Sequence, residues 1–221
     1  MTRFVQVASA VCVAALGVAG TAAAQPQGDR PVAIQVNGGV SLGNKTSGTI
    51  GVEGDYQLNS KLTIFGEVGQ IGNVAPKFIS DRAALIASAI GGTAEATDKA
   101  TYFDAGVKYN LATLVGGFDA YVGAGVGIAK VAKTTTFTID GSTLSEDRLL
   151  SQYFVQLGTD LADSATKTNV TVLAGAVKSI GERLGLDVSY RYSRLFPKTD
   201  LIEGDMAINV KRFQVGFLIR F

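Results

Sequence analysis

Apolar and polar residues alternate with period two through about eight blocks of roughly ten residues, and helical periodicity is weak over most of the chain. In the first block Ile34, Val36, Val40 and Leu42 alternate with Gln35, Asn37 and Ser41. The second sets Ile50, Val52, Tyr56 and Leu58 against Thr49, Glu53, Asp55 and Gln57; after the tight turn Asn59-Ser60-Lys61, Leu62, Ile64 and Val68 alternate with Thr63 and Glu67. Further along, Phe103, Ala105, Val107 and Tyr109 oppose Asp104, Gly106 and Lys108, and Val122, Val126 and Ile128 oppose Asp119, Tyr121, Gly123, Gly125 and Gly127. A sixth block near Asn169–Ser179 is less clean; Leu173, Gly175 and Val177 are placed opposite Ala174, Ala176 and Lys178. The last two are clear: Leu184, Leu186, Val188, Tyr190 and Tyr192 against Asp187, Ser189, Arg191 and Ser193, then Phe213, Val215, Phe217, Ile219 and Phe221 against Arg212, Gln214, Gly216 and Arg220. Eight antiparallel strands closing on themselves leave no exposed edge.

The polarity of the two faces decides the class. A soluble lipocalin-type binding barrel would turn the bulky face inward around a greasy ligand. In this chain the other face carries Gly, Ser and Ala with mid-strand charges, which suits the narrow interior of an eight-stranded barrel. The Leu/Ile/Val/Phe/Tyr face then looks outward, a stable arrangement only in lipid. Strands of about ten residues match a tilted span of the hydrocarbon core. Tyr56, Tyr109, Phe118 and Phe221 would line one rim and Phe103, Tyr192 and Phe213 the other, as interfacial aromatics do. Links at 59–61, 112–117 and 181–183 are short, while those at 73–99, 132–168 and 195–207 are long. Long loops at one end are the extracellular ones, which puts both termini in the periplasm. The fold expected is an all-β, eight-stranded antiparallel up-and-down transmembrane β-barrel with short helices in its extracellular loops.

The amino terminus reads as a processing signal. Arg3 precedes a small-apolar run from Phe4 to Gly20, and Ala22-Ala23-Ala24 fits the cleavage pattern, so residues 1–24 are expected to be a signal peptide and 25–221 the barrel domain. The single cysteine, Cys12, lies in that run, which leaves the mature chain without a disulfide or a thiolate ligand. Removing Arg3 leaves as many acids as bases, and that balance argues against a nucleic-acid partner. The 221 residues contain no His, which removes the commonest general base and the commonest zinc ligand. No catalytic residue, metal site or cofactor is expected.

By parity Glu53, Asp55, Glu67, Asp104, Asp119 and Asp187 face inward, as do Lys108, Lys178, Arg191, Arg212 and Arg220. An unpaired buried charge costs several kcal/mol, so Glu53, Glu67, Asp104, Lys108, Lys178, Asp187, Arg191 and Arg212 are expected to interlock as a barrel-interior charge network. The sharper alternative is a narrow, low-conductance ion path with Arg191 and Arg212 facing Glu53, Glu67 and Asp104. Two long links carry helical signals: Ser80 capping residues 81–90 before Gly91-Gly92, and Ser145 capping residues 146–157 before Gly158. The Gly123-x-Gly125-x-Gly127 run fits a small-residue strand face better than a nucleotide loop, because Ile128 holds the sixth position of the nucleotide motif.

"YFDAGVKYN" at Tyr102–Asn110, "YVGAGVGIA" at Tyr121–Ala129, "LGLDVSYRYS" at Leu184–Ser193 and the terminal "FQVGFLIRF" at Phe213–Phe221 resemble the small outer-membrane β-barrel family related to the OmpA transmembrane domain and OmpX. In that family a terminal aromatic after alternating apolar residues looks like the signal read by the barrel-assembly machinery; Phe213, Phe217, Ile219 and Phe221 match it. The resemblance implies a monomer in contact with outer-membrane lipid and lipopolysaccharide. A peptidoglycan-binding domain does not follow the last strand, so cell-wall anchoring is not implied. The expected role is structural or surface interaction, with the narrow pore and the soluble binding barrel as alternatives.

Overall fold

The computed structural model describes residues 31–43, 45–158, 161–197 and 207–221; the expected signal peptide at 1–24 lies outside them. Nine strands and two helices follow in order: β1 (Val32–Leu42), β2 (Ser47–Gln57), β3 (Leu62–Ile71), α1 (Lys77–Ala89), β4 (Thr93–Leu114), β5 (Phe118–Ile139), β6 (Ser142–Leu144), α2 (Glu146–Tyr153), β7 (Asp163–Ile180), β8 (Leu184–Leu195) and β9 (Ile208–Arg220). Eight of the strands form one antiparallel cylinder in the order β4-β3-β2-β1-β9-β8-β7-β5, closed by the β4–β5 pairing; β6 adds only to the outer end of β5. The first and last strands meet from Ala33 opposite Arg220 to Leu42 opposite Lys211. Every central strand edge is therefore satisfied, as a lipid environment demands.

Turn chemistry sets the register. Asn59 accepts the Lys61 and Leu62 amides on its side-chain oxygen, each at 2.9 Å, and holds the β2–β3 turn. Between β5 and β6, Asp140 and Gly141 both take positive φ (48° and 75°), the two-residue turn whose twist matches flanking strands.

The alternation orients each wall residue. Val36, Ile50, Val107, Val126, Val172 and Phe217 are among the exposed large apolar residues, whereas Glu53, Glu67, Asp104, Arg191 and Gln214 are wholly buried. A water-soluble barrel would show the opposite. None of the described helices is long and apolar enough to cross a membrane, and the crossing is made by strands.

Three expectations need correction. Strand β7 is turned over: Leu173 is buried with Thr171 and Asn169, while Val170 and Val172 face out. Lys178 consequently leaves the interior; its ammonium donates to the Gly116 carbonyl at 2.9 Å and lies 5.1 Å from the Phe118 ring centre, on the exterior rim. Second, much of the long links is sheet. β4 and β5 each have 22 residues, about twice what a tilted hydrocarbon span needs, so their hairpin rises well beyond the apolar belt. Past the end of β3, Asn73 covers the β4 edge, donating to the Ala96 carbonyl and accepting the Asp98 amide. Third, α1 begins at Lys77 after Pro76, without a side-chain cap, rather than at Ser80. Ser145 does cap α2, accepting the Arg148 amide, but that helix ends at Tyr153, with Phe154 in the left-handed conformation. The helices cover the outer opening: Ala87 meets Phe137 and Leu149, and Ile79 and Ala83 meet Ala96 and Leu161.

Candidate functional site in the barrel lumen

The inward side chains form three layers along the axis. The outermost is mainly apolar, although Lys167 on β7, opposite Ala129, and Thr49 on β2, opposite Ile71, are buried within it. Ile71, Ala100, Tyr102, Ala129, Val131, Leu195, Ile208 and Val210 converge from β3, β4, β5, β8 and β9, with Val74 above them. Each holds an inward position on its strand, and the residues are fully or nearly fully buried. Aliphatic side chains at this height offer water few partners.

Beneath lies the charged layer. Arg191 on β8 reaches across the lumen to Glu53 on β2 (2.7 Å) and Glu67 on β3 (2.8 Å). Lys108 on β4 pairs with Glu53 at 2.5 Å and Asp55 at 2.9 Å. Arg212 on β9 approaches Glu67 (3.5 Å) and Asp104 (3.4 Å) and lies over the Tyr102 ring at 4.2 Å. The structure thus brings together seven of the eight residues expected to interlock; Lys178 is the exception, and with it outside the layer holds five carboxylates (Glu53, Asp55, Glu67, Asp104, Asp187) against three bases. Neutral donors complete the shells of the surplus acids. Asp187 accepts from Gln35 at 2.7 Å and from Tyr121 at 2.9 and 3.0 Å, and Asp104 from Asn169 at 2.6 Å and Thr171 at 3.0 Å.

Aromatic rings fill the remaining space, and the alternation pattern alone does not announce all of them. Phe65 and Tyr121 flank Lys108, whose ammonium lies 5.5 and 5.1 Å from their ring centres, a favourable placement for a desolvated cation. Tyr102 donates to Glu67 at 2.8 Å. Glycine at the paired position of the neighbouring strand makes this possible: a Cβ on Gly175 would sit 2.5 Å from the Tyr121 hydroxyl, and one on Gly69 would collide with that of Tyr102. These two inner glycines leave room for the large tyrosine side chains of the neighbouring strand.

The third layer is open. A cavity of about 530 Å³ at the end where Pro31 and Arg220 lie is lined by Asp55, Lys108, Asp119, Tyr121 and Arg220, among others. Asp119 and Arg220, expected to be interior, thus belong to this mouth and not to the buried network. The four assembly-signal positions, Phe213, Phe217, Ile219 and Phe221, are all exposed on the outward face of β9 and at its end.

Above the belt, Asp98 is buried on β4 between the apolar layer and the helices. Burial pushes its carboxyl up to about 6, against the pull of Lys133 and Lys167. The unfolded value is 3.8, so the folded segment binds the proton more tightly. The penalty on the charged form acts in full above about pH 6 and fades as pH falls toward the unfolded value. Hydrogen-exchange protection of residues 96–100, corrected for intrinsic exchange, is expected to rise from pH 7.5 to pH 5 in the native chain and stay flat in Asp98→Asn. An unchanged pH profile in the variant contradicts this.

Comparison with known proteins agrees with the geometry. The family model for the outer membrane protein β-barrel domain matches residues 8–221. Among solved structures, Neisserial surface protein A is 13% identical, with 86% of this chain and 96% of that one covered at a TM-score of 0.52. A major outer membrane protein from Thermus thermophilus is 11% identical, with 86% and 99% covered and a TM-score of 0.51. At these identities the likeness is one of fold. No curated protein matches the chain by sequence. An inverted barrel, ionic within and apolar without, carrying this family's pattern from residue 8 to the terminal Phe221, belongs to the outer membrane protein β-barrel domain family and resides in the outer membrane.

Proposed function

We propose that this barrel serves the outer membrane as a closed structural and surface-interaction element, not as a pore and not as a catalyst. The observation that carries the reading is the pair of barriers in series: an apolar layer lying directly over a cross-linked charged layer. An ion entering from the helix-capped end passes Asp98 and then meets a mainly aliphatic layer, where it would have to shed most of its hydration. From the other end, the open mouth leads to a layer in which Arg191, Lys108 and Arg212 are paired with carboxylates across the lumen. Large polar surfaces are instead displayed by the β4–β5 hairpin and by α1 and α2, the parts that the loop lengths place outside the cell. In planar bilayers the purified chain is expected to show no steady conductance above the lipid baseline. A sustained, reproducible single-channel level would favour the narrow-pore alternative.

The outward aromatic at the end of β9 supports a second part of the reading, that the barrel-assembly machinery engages this terminus. Phe221 is more than half exposed, and its amide donates to Val32 of the first strand, so it adds little to the packed interior. Deleting Phe221 is expected to reduce barrel in the outer membrane of living cells about tenfold while leaving refolding into detergent nearly unchanged. Equal losses in both assays would make Phe221 a stability residue.

A further inference from the structure

The open mouth of the lumen has a floor and two chemically different walls. The floor is the underside of the charged layer, where Lys108 and Tyr121 are buried. On β2, β3 and β4 the wall is polar. Gln57, Thr63 and Asn110 line it half-buried, and the Gln57 and Thr63 side chains form no hydrogen bond among the described residues. On β1, β7 and β9 the wall is apolar, with Ala33, Val177 and Leu218 lining the same space. Three ions complete the lining. Asp119 on β5 accepts from the Thr113 hydroxyl at 2.6 Å. Lys61, in the β2–β3 turn, and Arg220, at the end of β9, enter no ion pair among the described residues. Around the cylinder β5 stands two strands from β3 on one side and three from β9 on the other. The acid therefore faces two bases across the opening.

We infer that this mouth binds a short peptide with free ends, its ammonium toward Asp119 and its carboxylate toward Lys61 and Arg220. Charge selects the class. A purely anionic ligand would lie over a layer holding two more acids than bases, and a purely cationic one would meet Lys61 and Arg220. A molecule with one charge of each sign satisfies the rim. Spacing selects the length. Two or three inter-strand steps separate the charges by about 10–14 Å of wall, which suits the ends of a di- or tripeptide, at about 3.5 Å per residue, better than those of a single amino acid. The cavity of about 530 Å³ is of the size that holds such ligands. Its two walls match the two sides of an extended peptide: Gln57 and Thr63 offer hydrogen bonds to the amides, while Ala33, Val177 and Leu218 take an aliphatic side chain out of water. The short turns place this mouth in the periplasm, but its chemistry does not depend on that orientation or on the closure proposed above.

The test is equilibrium dialysis of the radiolabelled tripeptide Ala-Leu-Ala against the full chain refolded in non-ionic detergent, with empty micelles as the blank. Four forms are compared: free ends, N-acetylated, C-amidated and blocked at both ends. Exposed ion pairs contribute little each, so blocking either end is expected to weaken binding about threefold, and blocking both about tenfold. Each variant should erase one of these differences. Asp119→Asn is expected to bind the free and N-acetylated peptides equally while still discriminating against the amide. Lys61→Gln/Arg220→Gln is expected to do the reverse. Lys99→Gln/Arg194→Gln, at the other end of the barrel, is expected to behave as wild type. All three variants are first shown to be folded by heat-modifiable migration. Retention no greater than in empty micelles, equal binding of the four forms, or end preferences that the Asp119 and Lys61/Arg220 variants leave intact overturns the proposal. So does an equal loss in the control variant. Free leucine binding as tightly as the tripeptide overturns the assignment to a peptide.

Discussion

Replacing Arg191 by alanine is expected to cost the barrel about 3–5 kcal/mol, because one truncation strips two buried carboxylates of their partner. Arg191 is completely buried and bridges Glu53 and Glu67. Lys108 and Arg212 remain nearby, but Lys108 is shared with Asp55, and the Arg212 contacts are longer, at 3.4 and 3.5 Å. The surplus of acids over bases makes the loss of any base costly. Urea unfolding in lipid vesicles, followed by heat-modifiable migration, reads the effect. A second variant separates charge from packing: Arg191→Met/Glu53→Gln/Glu67→Gln keeps comparable volume and removes the uncompensated charges, and is expected to recover at least half of the lost stability. A loss under about 1 kcal/mol in Arg191→Ala would show that the network is not coupled as its distances indicate.

The second large effect concerns the two barriers. Opening either layer alone is expected to leave conductance at baseline. Ile71→Ala/Val131→Ala/Val210→Ala thins the mainly apolar layer but leaves Arg191 spanning the lumen; Arg191→Ala breaks the charged layer but leaves the outer one in place. Combining them should give steady conductance, provided that the combined variant retains the folded, heat-modifiable form. Conduction by folded Arg191→Ala alone would place the whole barrier in the charged layer, and conduction by the folded triple variant alone would place it in the apolar one.

Much of this architecture is legible in the residues where hydrophobicity and charge alternate cleanly. In β8 and β9 most outward apolar residues flank an inward polar one, and the period fixes both strand and facing. Strand β7 misleads because Val170, Val172, Leu173, Ala174 and Ala176 put apolar groups on both faces. The clue is Thr171, whose hydroxyl meets Asp104 and Ser193 in the lumen. The upper halves of β4 and β5 read as loops because they stand above the lipid, where no apolar face is required. Thr134, Thr135, Thr136 and Thr138 nevertheless favour extended backbone through their branched side chains. The apolar layer is hidden for a different reason. Ile71, Val131, Leu195 and Val210 are far apart in sequence, and only the closed register places them at one height. Parity brings the charged layer within reach; Tyr102 and Phe65, equally part of it, carry no formal charge to mark them.

The direct test of the inverted barrel is collision accessibility of spin labels placed singly, which is practicable because the chain's one cysteine, Cys12, precedes the described residues. Labels at Val122, Val126, Phe213, Val215 and Phe217 in vesicles are predicted to collide freely with oxygen and to be shielded from a polar nickel chelate. A label at Asp119, in the open mouth, is predicted to show the reverse. High chelate accessibility along those five outward positions would contradict the account.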